Sequence, residues 1–215
     1  MTTNYSVTIT KNTQLFPGHT SGEWFNVSAF AVIKADGLVV TWGDGGSGGD
    51  SSSVSVKLNG ATDVSQIYST FDAFAALRSD GSVVTWGNSS DGGNSSAVSA
   101  KLNGATDVSQ IYSTGYAFAA LRSDGSVVTW GDSSSGGNSS AVSAKLNGVT
   151  DVSQIYSTFD AFAALRSDGS VVTWGDNSAG GNSSAVSAKL NGATDVSQIY
   201  SSGYAFAALR SDGSV

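Results

Sequence analysis

The sequence predicts an all-β chain folded as a β-propeller. Three observations predict it: a 44-residue internal repeat, an Asp-Gly hairpin signal in each unit, and strands that are apolar on both faces. Tryptophans fall at Trp42, Trp86, Trp130 and Trp174, each 44 residues after the last. Counted back from the end, the units are 40–83, 84–127, 128–171 and 172–215, preceded by a divergent segment, 1–39, within one domain, 1–215. Periods of roughly 20 to 50 residues mark solenoids, propellers or arrays, in which each unit buries its faces against its neighbours.

Within a unit, "AFAALRS" and "SVVTWG" are joined by Asp80-Gly81, and Asp-Gly between apolar runs is a strong hairpin signal. A two-residue turn there would set Leu77 opposite Val84 and Ala75 opposite Trp86, with Phe74, Ala76 and Thr85 on the other face. Both faces are then largely apolar, which requires a covering layer on each side. Upstream, "VSQIYST" (64–70) reads as a strand. Downstream, "AVSAKL" (97–102) reads as an exposed edge strand guarded by Lys101, after a polar loop, 88–95. Four-stranded antiparallel blades follow, and the Asp-Gly hairpin recurs at Asp36, Asp80, Asp124, Asp168 and Asp212, for about five blades. A parallel β-helix has shorter turns and no such hairpins, and a sandwich needs no near-identical units.

Composition narrows the function. A net charge of −7, with ten basic residues spread thinly along the chain, argues against a nucleic-acid groove. No run of 18 apolar residues offers a membrane span, and the N-terminus "MTTNYSVTITKN" lacks the charged start and apolar stretch of an export signal. Cysteine is absent, which excludes disulfides and thiolate metal sites.

The run "ALRSDGSVVTWG" resembles the signature of the regulator of chromosome condensation repeat family, over about 29–215. That resemblance implies propeller blades and a tendency to bind proteins. The same kind of repeat builds a propeller-type β-lactamase-inhibitory protein and many bacterial surface proteins, so an extracellular or cell-surface setting is expected. Members usually close with seven blades, against five hairpins here, and no nucleotide-exchange or inhibitory residues can be carried over.

The ends read as complementary. Val215 occupies the slot of Val83, and "SVTIT" (6–10) matches the missing third strand, so the N-terminal strand is expected to complete the C-terminal blade. "TQLF" (13–16) would supply a shortened fourth strand. The alternative is a larger ring formed by oligomerisation. "EWFNVS" (23–28) aligns with "IYSTFD", which puts Trp24 in the slot of Tyr68. A deeper period of 88 appears in the pairs Phe71-Asp72, Gly115-Tyr116, Phe159-Asp160 and Gly203-Tyr204.

Chemistry is hard to find. His19 is the sole histidine, no nucleophile elbow is present, and the hairpin aspartates have a structural task in their turns. The Gly-rich loops lack the aspartate spacing of calcium sites, so no catalytic residue, cofactor or metal is expected. The Asn-x-Ser triplets at Asn88, Asn94, Asn138 and Asn182 match glycan-acceptor sites. The tryptophans fit blade-to-blade core. The candidate binding loops carry Phe71, Asp72, Tyr116, Phe159, Asp160 and Tyr204, aromatics and carboxylates between strands. The expected function is a non-enzymatic structural or protein-interaction module, with self-association as one mode; the alternative is a lectin-like propeller that stacks sugars on those aromatics.

Overall fold

The computed structural model describes residues 24–215. "SVTIT", "TQLF" and His19 lie outside the described residues, and so do the expectations placed on them. The described chain is all-β, with thirteen strands in five antiparallel sheets. The first sheet pairs β1 (Ala29–Ile33) with β2 (Val39–Gly43). Three three-stranded meanders follow: β3 (Val64–Ser69), β4 (Ala73–Arg78) and β5 (Val83–Gly87); β6 (Val108–Ser113), β7 (Ala117–Arg122) and β8 (Val127–Gly131); β9 (Val152–Ser157), β10 (Ala161–Arg166) and β11 (Val171–Gly175). The last sheet pairs β12 (Val196–Ser201) with β13 (Phe206–Arg210).

The hairpin is real, but its turn is one residue longer than expected. Arg78 N–H donates to Ser82 C=O at 2.9 Å and Gly81 N–H to Arg78 C=O at 3.0 Å, which makes a three-residue loop, Ser79-Asp80-Gly81. Among the described residues only glycines adopt positive φ, here Gly81 at 72°, so the type I′ turn that needs a positive φ at the aspartate as well is excluded. Asp80 Oδ1 instead accepts from Ser82 N–H at 3.0 Å and from its hydroxyl at 2.5 Å. The added residue shifts the register: Phe74 opposes Trp86 and Leu77 opposes Val83. The phenyl and indole rings stack at 5.2 Å on one face, where the two-residue turn would have separated them.

The expected fourth strand is also corrected. Ser96–Lys101 forms a 3₁₀ helix, as do Ser52–Lys57, Ser140–Lys145 and Ser184–Lys189. Asn94 Oδ1 accepts from Ser96 N–H at 2.9 Å and the Ser99 hydroxyl donates back to Ser96 C=O at 2.9 Å, local bonds that compete with a sheet ladder. Val98 and Leu102 are four apart, so "AVSAKL" suits a helical as well as an alternating period. Edge pairing survives only as the Ser82–Asn103 bridge and the Val83 N–H to Leu102 C=O bond of 2.9 Å. The three internal blades are thus three-stranded with a helical fourth side.

The core lies between sheets. The rear face of the β3–β5 sheet, with Tyr68, Ala75 and Leu77, packs on Ile111, Phe118, Val128 and Trp130 of the next. Three equivalent clusters join the other neighbours, so both faces of the internal sheets are covered. Trp86, Trp130 and Trp174 are at most 4% exposed, as expected of blade-to-blade core.

Candidate functional site

A chain of backbone hydrogen bonds links the sheets at one edge. Val27 N–H donates to Phe71 C=O (3.0 Å), Phe71 to Gly115 (2.9 Å), Gly115 to Phe159 (2.9 Å) and Phe159 to Gly203 (2.8 Å). Each donor reaches the residue one repeat ahead. The row curves toward this edge, because rings two and three units apart touch: Phe71 and Phe159 lie 5.3 Å apart, and Trp24 and Phe159 5.0 Å. Sequence-predicted residues therefore converge at a common centre. Phe71 and Tyr116 meet edge-on at 5.4 Å, Tyr116 and Phe159 at 5.8 Å, and Tyr204 stacks on Phe159 at 5.8 Å. Tyr204 remains mostly exposed; Phe71, Tyr116 and Phe159 are half-buried in one another.

Trp24 joins this cluster instead of taking up the rear-face packing of Tyr68, since residues 24–26 form no strand. Its neighbour Asn26 does match its slot. Asn26 Oδ1 accepts from Ala29 N–H at 2.7 Å and Nδ2 donates to Ser47 C=O at 2.7 Å. Thr114 makes the same two bonds with one hydroxyl, to Ala117 N–H at 3.0 Å and Ser135 C=O at 3.0 Å.

Asp72 and Asp160 stand at the cluster's rim. Each accepts from a serine of the preceding loop: Ser47 Oγ to Asp72 at 2.7 Å and Ser135 Oγ to Asp160 at 2.8 Å. The corresponding loop position of the unit between them is Asp91, which sequence reasoning passed over. Burial raises the Asp91 carboxyl above its ordinary pKa, and the charges of Asp72 and Asp132 raise it further. Asp160 is raised by burial, opposed by its Ser135 bond and assisted by Asp176 and Asp132. The Tyr116 hydroxyl is pushed up by burial first and then by Asp160, Asp91 and Asp72. An aromatic floor with an anionic rim results. The signal that could have found Asp91 is the spacing: it sits 25 residues before Tyr116, as Ser47 does before Asp72.

The loops above the core are π-turns. Gly93 N–H donates to Asn88 C=O at 2.7 Å, while Asn88 Oδ1 caps Ser90 N–H at 2.9 Å. Two repeat-related grooves run along the 3₁₀ segments. One of about 940 Å³ is lined by Asn94, Lys101 and Arg122, and one of about 760 Å³ by Asn182, Lys145 and Arg166. Among the described residues, no three His, Cys, Asp or Glu side chains come together as a metal site would require. Among them, too, no helix is long and apolar enough to cross a membrane.

Consecutive antiparallel blades stacked face to face around a common edge define a β-propeller. Solved structures agree. The chain is similar to the ectodomain of the receptor kinase CR4 from Physcomitrella patens, with 14% identity and a TM-score of 0.51 over 94% of this chain and 50% of that one. It is similar to Prp20p from Saccharomyces cerevisiae, with 19% identity and a TM-score of 0.50 over 72% of this chain and 44% of that one. The chain thus spans about half the length of these propellers. No protein-family model and no curated protein sequence matches it.

Proposed function

We propose that the chain is a non-enzymatic protein-interaction propeller, a module of a bacterial surface or extracellular protein, that uses the central aromatic cluster to hold a basic segment of a partner. The observation that carries this reading is the convergence of Phe71, Tyr116, Phe159 and Tyr204 beside Asp72, Asp91 and Asp160. Lysine or arginine side chains find both π-faces and carboxylates there, and cation–π contacts strengthen when desolvated. The chain's net charge of −7 adds attraction at long range. Protein binding is also what the fold's relatives offer by example, since Prp20p is described with binding to Gsp1p and histones.

A titration with an arginine- and lysine-rich peptide tests this. Saturable binding that weakens about tenfold on Tyr116→Ala or Tyr204→Ala, and falls with salt, is expected. The exposed Tyr204 ring also gives the sugar-stacking alternative a platform. Binding on a glycan array that vanishes in the same variants, with none to the peptide, would replace the protein reading with the lectin one.

A further inference from the structure

Among the described residues, the two end sheets of the row each leave one face bare. At the front, Phe30 is 63% exposed and Trp42 49%, although they stack at 5.5 Å as the internal pairs do. Their counterparts Phe118 and Trp130 are 0% and 4% exposed beneath the preceding sheet. At the rear, Tyr200 is 49% exposed while its counterpart Tyr156 is 2% exposed, and Ala205 and Ala207 are open to solvent.

The backbone groups at these ends match as well. Inside the row, Trp86 donates its indole N–H to Gly48 C=O (2.9 Å), Trp130 to Gly92 (3.0 Å) and Trp174 to Gly136 (3.0 Å). Trp42 holds the same indole donor at the front, whereas the corresponding Gly180 carries on the pattern inside the row, against Phe206 of the last sheet. The central ladder also has an acceptor at the front, Val27 C=O, and a donor at the rear, Gly203 N–H.

We propose that these faces are a head-to-tail joint that binds a second copy of this chain, with the front of one molecule seated on the rear of the next. The occupant follows from continuity: four internal clusters show what covers a rear face, namely a front face of this same repeat, and a second copy brings one. Among the described residues of one molecule the two end sheets do not cover each other, since Trp42 and Tyr200 both stay half exposed. Such contacts are heterologous, and they yield rings if the rotation closes and open polymers if it does not. The joint is separate from the central aromatic cluster and stands whether or not that cluster binds a basic segment.

Light scattering across a concentration series of the full chain is the test. The expected result is mass rising with concentration through multiples of 21.7 kDa. Trp42→Ser disables the front and Ala207→Arg the rear; both sites are exposed, so neither change removes core packing, and circular dichroism verifies the fold. Each variant alone should associate at least about tenfold more weakly. Mixed in equal amounts, they retain one good front and one good rear, and should form dimers that grow no further. A parent chain that stays monomeric at every concentration, as closure on its own ends would produce, overturns the proposal. So does association untouched by both changes, or a mixture that fails to complement, the mark of a symmetric front-to-front dimer.

Discussion

Trp130 donates its indole N–H to the carbonyl of Gly92, 38 residues earlier in the chain, at 3.0 Å. This bond fixes the loop of one sheet over the aromatic face of the next, and both groups are buried. Trp130→Phe keeps a ring in place but strands the carbonyl without water, a cost of about 1–3 kcal/mol. Thermal unfolding should show a drop of roughly 2–4 °C per kcal/mol for a chain of this length. Trp42→Phe should be nearly silent in the same assay on dilute protein, because Trp42 is half exposed.

Gly92 itself has no room for a side chain. Its φ is 100°, and a Cβ there would lie 2.5 Å from the Phe118 ring. Gly92→Ala combines left-handed strain with a clash, and should destabilise by about 2–5 kcal/mol. Gly203 supplies the contrast: nothing lies within 4 Å of its Cβ position and its φ is outside the left-handed region. Gly203→Ala should be neutral or stabilising by about 0.4–1 kcal/mol, read from the same denaturant curves.

Acid stability should separate two kinds of aspartate. Asp124 is held below its ordinary pKa of 3.8, first by the Ser126 hydroxyl and then by the Ser126 backbone and Arg122. A depressed carboxyl adds stability that is complete above that ordinary value and lost as pH falls through the lower, folded one. Asp124→Ala should therefore cost about 0.5–1.5 kcal/mol near neutrality and progressively less in acid, as followed by unfolding midpoints at each pH.

Asp91 behaves in the opposite sense. Its raised pKa means that the folded chain binds protons more readily than the unfolded one between 3.8 and the folded value, so stability rises as pH falls through that window. Asp91→Ser places there the residue found at Ser47 and Ser135. The expected result is a midpoint raised by about 1–3 °C near neutral pH, with the gain vanishing below the window. A gain that persisted in acid would point to packing instead of charge.

Much of this architecture could be read from residues, and the misses have local causes. The period, the β3 strand at 64–69 and the burial of Trp86, Trp130 and Trp174 followed from spacing and two-sided apolar runs, whereas Trp42, read the same way, is half exposed. The turn was misjudged because Asp-Gly serves two hairpin geometries, and the choice is made by Ser82, whose backbone and hydroxyl both bind Asp80. The helix at Ser96–Lys101 was hidden in a six-residue stretch that fits either period. The site residues were found as loop aromatics, but their convergence was not, since the contact of Phe71 with Phe159 depends on how far the row curves. The bulge at Ser65, whose hydroxyl donates to Leu77 C=O at 3.0 Å, had no sequence signal at all.

The 88-residue alternation has an outcome for folding fidelity. Near-identical sheets invite mispairing, in which a loop settles over the wrong neighbour. Ser47 and Ser135 each bond an aspartate, whereas Asp91 lies near the tyrosine Tyr116. Shift the loops by one unit and Asp91 meets Asp160, carboxylate against carboxylate, while Ser47 and Ser135 lose their acceptors. Shift Ser47 by two units and it lands on Asp160, its acceptor type restored. The alternation is a parity check written into the repeat: it rejects errors of one unit and lets errors of two pass.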